Sequence, residues 1–232
     1  MPTAAAPSRA TAMPTAVVLS GVGRYSDPWH PYPETSQRIA QVLREAGLTV
    51  EIVPTEPDAV ANLGTPDLLV VDAGGGGNSV DPAESERWVA AHAALTALLA
   101  TGVPLLGVHA AANTFTEVPA YRAALGGRWV NGTSMHPDRG PAHFAPASDH
   151  PILAGLTTVE VPDEERYSFM EMDEDLTPLL THEHDGAAHV SAWAREDARG
   201  RVVYDGLGHY GPSYDAPARV DLLRREIAWL LA

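Results

Sequence analysis

The chain has 232 residues, no cysteine, and 15 Lys+Arg against 30 Asp+Glu, for a formal charge of −15 at pH 7. The missing cysteine excludes disulfides, thiolate zinc sites and a cysteine nucleophile. The acidic balance, with no basic stripe to offset it, argues against nucleic acid and anionic membranes as partners. With 45% hydrophobic residues the chain can bury one substantial core without a second domain.

The first residues, "MPTAAAPSRATAM", are rich in Ala, Pro and Thr and hold no apolar run of signal-peptide length. They are expected to form a disordered tail over 1–13, or to precede a natural start at Met13, with a single domain over 14–232. No later apolar run exceeds strand length, so no membrane span is expected and a cytoplasmic location is the default.

From "TAVVLSGVG" onward, strand and helix patterns alternate. That β-branched run ends in glycines, and "PETSQRIAQVLREAGL" follows with Ile39, Val42, Leu43 and Ala46 at helical spacing and Gly47 as a stop. "TVEIV" breaks at Pro54, and "PDLLVVDAGGGG" is a wholly apolar strand running into four glycines. "DPAESERWVAAHAALTALLATG" predicts a long helix with Asp81 as N-cap, Pro82 in the first turn and Gly102 at the end. "VPLLGVHAA" is the next buried strand. Past Phe115 the pattern loosens into the short helix "VPAYRAALGG", loops, and two strands, "HVSAWARE" and "RVVYDGLG". The closing "APARVDLLRREIAWLLA" is amphipathic, with Val220, Leu223, Ile227 and Leu230/Leu231 on one face. Apolar strands separated by helices predict an α/β fold with a doubly wound, mostly parallel sheet flanked by helices. Ligands in such a fold bind outside the carboxyl ends of the strands.

Three polar features fall at those ends. Gly74 to Asn78 follow a strand, where backbone N–H groups of residues such as Gly75 and Gly76 could converge on an oxyanion or a hydroxyl. His109 follows a buried strand, between Gly107 and Ala110–Ala112, small residues that leave room around its imidazole in a solvent-accessible site. His209, in "DGLGHYGPSY", follows another strand. Imidazoles delivered to one sheet edge could bind a divalent metal such as zinc or share acid–base work, and His30 in "DPWHPYPE" falls on the same edge. "DEERY" adds Glu164, Glu165 and Tyr167 on a predicted loop. His182, Glu183 and His184 in "THEHDG" read as solvated residues of a polar turn.

These segments resemble the ThuA-like (trehalose utilisation) family. The resemblance rests on "GVHAAANTF", "YRAALGGRW", "HPILAGL", "EERYSF", "HEHDGAAHVSAWARE" and "GRVVYDGLGHYGPSY", from about residue 103 to the C-terminus. It implies the class I glutamine amidotransferase-like fold with its flavodoxin-like core. In amidotransferases of that fold the elbow after the strand holds a cysteine, where this chain has His109, and His209 matches the partner histidine. Thioester chemistry is therefore excluded, and a small-molecule sugar or keto-sugar substrate is implied. Gly75, Gly76, Asn113, Tyr167 and Tyr214 become candidate substrate-binding residues, and Trp29, Tyr32 and Phe115 candidate stacking surfaces. His109, His209 and Glu165 are the candidate catalytic residues, with His30, His109 and His209 the candidate metal ligands. "GGRWVNGTSMHP" delays a family histidine to His136, whose role the sequence leaves open.

The leading expectation is a sugar lyase, isomerase or hydrolase acting on a disaccharide-derived or keto-sugar substrate by histidine acid–base or metal-assisted chemistry. A non-catalytic sugar- or partner-binding protein and a divalent-metal hydrolase of non-sugar substrates are the alternatives. A homo-oligomer is compatible with the sequence.

Overall fold

In the computed structural model, which describes residues 13–75 and 82–232, the apolar runs become strands of one nine-stranded sheet. In chain order the elements begin with β1 (Thr15–Ser20), α1 (Tyr32–Glu45), β2 (Thr49–Pro54), α2 (Pro57–Val60), β3 (Leu68–Asp72), α3 (Pro82–Leu99) and β4 (Leu105–Val108). Next come α4 (Pro119–Leu125), β5 (Gly127–Arg128), β6 (Gly140–Pro146), β7 (Val159–Glu164) and β8 (Glu171–Met172). The chain closes with β9 (Thr177–His184), β10 (Ala187–Asp197), β11 (Gly200–Asp205) and α5 (Pro217–Leu230). The tail, Gly76, Asn78 and the expected N-cap Asp81 lie outside the described residues.

The strand order is β2-β1-β3-β4-β11-β10-β9-β6-β7. The first five strands run parallel; β10, β9, β6 and β7 extend the sheet through antiparallel pairings. The parallel strands read as unbroken apolar runs because both of their faces are covered. Ala16 and Val18 of β1 join Ile39, Val42 and Leu43 of α1 and Leu223 and Ile227 of α5 on one face. Val17 and Leu19 join Trp88, Ala91 and Leu95 of α3 on the other.

On α5 the buried face is Leu222, Leu223, Ile227 and Leu230 together with Arg219 and Glu226, whereas Val220 and Leu231 are only half-buried. The sequence reading missed the two charged residues. Arg219 can face the sheet because its Nη2 lies 2.8 Å from the carboxylate of Asp205, itself fully buried at the end of β11. "THEHDG" is also corrected. His182 lies within β9, buried between the hydroxyls of Ser191 (2.6 Å) and Ser168 (3.0 Å), and only Asp185-Gly186 turn. Two serine partners satisfy an imidazole that its polar neighbours made look solvated. Among the described residues no helix is long and apolar enough to cross a membrane.

The chain leaves β1 to form β2 on one side and then β3 on the other, so the crevice of the sheet opens at the carboxyl ends of these strands. The candidate site lies there.

Candidate functional site

Three histidines reach this edge on three segments: His30 before α1, His109 directly after β4, and His209 shortly after β11. Glu165 joins them as the first residue past β7. His109 begins a 3-10 turn, His109–Asn113, with φ of +48°. A left-handed conformation is rare for a residue with a Cβ and persists only where its surroundings hold it. Here the Tyr204 hydroxyl donates to the His109 carbonyl at 2.8 Å, and the His109 Nδ1–H donates to the Gly206 carbonyl at 2.8 Å. The sharp strand-to-turn geometry projects the ring over the sheet edge.

The surroundings of His109 differ from the sequence expectation. It is 2% exposed, not open to solvent, and its ring lies 4.3 Å from that of Tyr167 between centroids. Of the neighbouring small residues only Ala110 borders the open cavity. Ala111 and Ala112 are core residues, and a Cβ on Gly107 would stand 2.7 Å from a Leu125 methyl.

With Nδ1 committed to a carbonyl, His109 presents Nε2 to the site. That atom lies 3.3 Å from His209 Nδ1 and 3.4 Å from Glu165 Oε2, and His209 Nδ1 lies 3.3 Å from the same oxygen. Two ligands each about 2.1 Å from a tetrahedral ion stand about 3.4 Å apart, so these three donor atoms have the spacing of a tetrahedral face. His30 completes the group: one donor atom from each of the four side chains lies within 4.8 Å of all the others. Its Nδ1–H is held by Asp27 (2.7 Å), and its Nε2 accepts from the Tyr167 hydroxyl at 3.4 Å. Histidines whose second nitrogen is fixed by a carboxylate or carbonyl have the orientation expected of metal ligands.

Glu164, next to Glu165, is fully buried and builds the segment that carries His209. Its carboxylate accepts from the backbone N–H groups of Gly208 (2.8 Å), His209 (3.0 Å) and Glu165 (3.1 Å) and from the Ser213 hydroxyl (2.6 Å). Gly208 itself has φ of +107°, and a Cβ there would stand 2.5 Å from the Tyr214 hydroxyl, so only glycine fits.

The charges of the site are mutually dependent. Burial pushes the pKa of Glu165 upward, but hydrogen bonds from His109 and His209 outweigh it and hold the carboxyl well below the usual range. Burial lowers that of His109, yet Glu165, the Glu164 charge and the Gly206 carbonyl bring it above the ordinary imidazole value. His30 goes the other way: burial and the neighbouring histidines outweigh Asp27 and lower its pKa. Without a cation, the cluster therefore favours a protonated His109 beside an ionised Glu165.

His30, Glu165 and His209 line a cavity of about 760 Å³ together with Asp27, Trp29, Asn113 and His136, while His109 lies behind them, outside the lining. Asn113 and Tyr167 line it as the sequence suggests. Tyr214 does not; it is a core residue behind Gly208, with the Arg219 guanidinium 5.0 Å from its ring. Gly75 is not in the lining: it forms a bridge with Thr114, while the Gly74 N–H donates to the Tyr25 carbonyl. The Gly74 donor is thus already spent, and Gly76 lies outside the described residues. Trp29 stands at the mouth, 74% exposed, whereas Tyr32 and Phe115 are buried. His136 does belong to the site, its Nε2 3.7 Å from Glu165 Oε1. Asp27 and Trp129 were not singled out in the sequence, and only Asp27, three residues before His30, offered a signal there; Glu164 was, but as a loop carboxylate, whereas it ends β7 fully buried.

The chain matches the family model ThuA, described as trehalose utilisation, over residues 17–230. No curated protein matches it. Among solved structures, a protein of Parabacteroides merdae described as ThuA-like is 16% identical with a TM-score of 0.71, over 95% of this chain and 90% of that one. One of Bacteroides uniformis, described in the same way, is 16% identical with a TM-score of 0.69, over 97% and 95%. A glutamine amidotransferase of Thermotoga maritima is 10% identical with a TM-score of 0.58, over 94% and 98%. At such identities these likenesses concern the fold alone, a mostly parallel sheet flanked by helices of the glutamine amidotransferase-like kind.

Proposed function

The chain belongs to the ThuA family, and from that premise we propose that it is an enzyme of carbohydrate metabolism acting on a keto-sugar, with a divalent cation such as zinc held by His30, His109, His209 and Glu165. The observation that carries this reading is the mutual 3.3–3.4 Å spacing of His109 Nε2, His209 Nδ1 and Glu165 Oε2. A cation bound there would supply polarisation of a substrate carbonyl, which acidifies the adjacent C–H.

The chain's own residues supply the remaining roles. Asp27 and the Gly206 carbonyl fix the rings of His30 and His109. Trp29 and Trp129, both in the lining, offer flat apolar surfaces to a sugar ring. The His136 Nδ1–H donates to the Pro137 carbonyl (3.0 Å), which leaves Nε2 as a basic nitrogen at the cavity. His136 is thus the group placed to take the proton next to the carbonyl.

The test is solvent exchange. Protein supplied with zinc is incubated with a panel of 3-keto-sugars in D2O, and deuterium entering next to the carbonyl is followed by NMR. Protein-dependent exchange is expected, slowed about a hundredfold by His136→Ala. Protein-dependent exchange absent across the panel would contradict the reading.

A further inference from the structure

A second trio of side chains stands alongside the histidines. Asp163 lies two residues before Glu165, Arg139 three residues after His136, and Tyr210 directly follows His209. The segments that deliver the site therefore deliver this trio as well. Asp163 and Arg139 belong to the cavity lining, and the Tyr210 ring lies 5.8 Å from that of His209 between centroids.

The three are fixed on one another. Asp163 Oδ2 accepts from the Tyr210 hydroxyl at 2.8 Å and lies 3.1 Å from Arg139 Nε. The Arg139 guanidinium carbon stands 4.5 Å from the centre of the Tyr210 ring. A guanidinium held at Nε and packed on an aromatic ring keeps its plane even where one edge meets water.

These contacts leave polar atoms over. Among the described residues neither Nη of Arg139 has a partner, and Asp163 Oδ1 has none either. Nitrogens that only donate thus stand beside an oxygen that only accepts. A hydroxyl both accepts and donates, so two neighbouring hydroxyls satisfy both sides at once. An anion does not. A carboxylate or phosphate drawn to Arg139 meets Asp163 as well, and the lining sets three carboxylates, Asp27, Asp163 and Glu165, against this one arginine.

We propose that Arg139 and Asp163 are the specificity-determining pair of the site, reading two neighbouring hydroxyls of an uncharged substrate. Tyr210 is their positioning residue. The proposal rests on the keto-sugar reading and adds to it the groups by which the site selects.

Calorimetric titration of the zinc-supplied protein with 3-ketoglucose and each of its monodeoxy analogues tests it. Arg139→Met and Asp163→Asn should each bind 3-ketoglucose about tenfold more weakly, with zinc affinity by chelator competition unchanged. At least one analogue should bind the wild type about tenfold more weakly, and on it the two substitutions should make little further difference. Tyr210→Phe, which releases Asp163, should cost about threefold on 3-ketoglucose and nothing on that same analogue. Unchanged affinity in both Arg139→Met and Asp163→Asn, or losses equal on every analogue, would overturn the pair while the keto-sugar reading stood on the wild-type titration. So would 3-ketoglucuronate binding more tightly than 3-ketoglucose and losing that advantage in Arg139→Met, the signature of an anion site. Failure of every probe to bind the wild type would overturn the two readings together.

Discussion

Removing the Glu164 carboxylate would strip the loop carrying His209 of its main anchor. Four donors converge on it at 2.6–3.1 Å: three backbone N–H groups and the Ser213 hydroxyl. A hydrogen bond to a charged group contributes about 1.5–3 kcal/mol, but the four are not additive, and water entering the hole left by Ala would satisfy some of them. Glu164→Ala should therefore destabilise the metal-free protein by about 3–5 kcal/mol. Glu164→Gln, which keeps the volume and one acceptor oxygen while turning an amide N–H toward the donors, should cost about 2 kcal/mol. Against a total stability of about 5–15 kcal/mol both variants can remain folded. Urea unfolding gives the stability change, and competition with a chelator gives zinc affinity, which should fall about tenfold or more as His209 loses its position. An Ala variant within about 1 kcal/mol of wild type, with unaltered zinc affinity, would refute the reasoning.

Asp27→Ala should free the His30 ring and lower zinc affinity by about ten- to a hundredfold, as measured by chelator competition. The pH dependence of the metal-free protein follows from the linked pair. The raised His109 pKa contributes stability that is complete below the unfolded value of 6.5 and lost as pH rises through the folded value. The lowered Glu165 pKa contributes stability present above 4.5 and lost as pH falls through its folded value. From this pair, urea midpoints of the metal-free protein should fall above pH 6.5 relative to those of His109→Asn, while zinc affinity, which requires deprotonated ligands, rises over the same range. Asp72, pushed up from 3.8 to about 6 by burial despite bonds from Ser36 and Thr35 and the charge of His109, erodes stability as pH rises through that interval. Asp72→Asn should accordingly unfold at higher urea at pH 7, by about 2 kcal/mol of stability.

The parallel half of the sheet was legible because burial on both faces leaves unbroken apolar runs such as "DLLVV", and a strand's end marks where a ligand-facing residue must sit. His30, His109 and His209 could be picked from that rule alone, since each follows a strand on the same edge. Residues that act by supporting others were not legible in this way. Glu164 and Glu165 are identical neighbours, and only the register of β7 sends one inward to hold the loop and the other to the histidines. His182 was hidden for a related reason: its partners, Ser168 and Ser191, are distant in sequence, so a paired core histidine looked like a surface one. Tyr214 was a candidate because an aromatic ring can stack on a sugar face, but its segment folds back and buries the ring behind Gly208.

The metal content of the protein after exposure to zinc and removal of excess tests the convergence of the histidines most directly, with wild type and His109→Asn measured side by side by elemental analysis. Asparagine tolerates the positive φ at this position and keeps a donor for the Gly206 carbonyl, so circular dichroism should show both proteins folded. One zinc per wild-type chain, largely lost in the variant, is the expected result. No zinc above background in the wild type, or equal zinc in both proteins, would contradict a cation site built on His109.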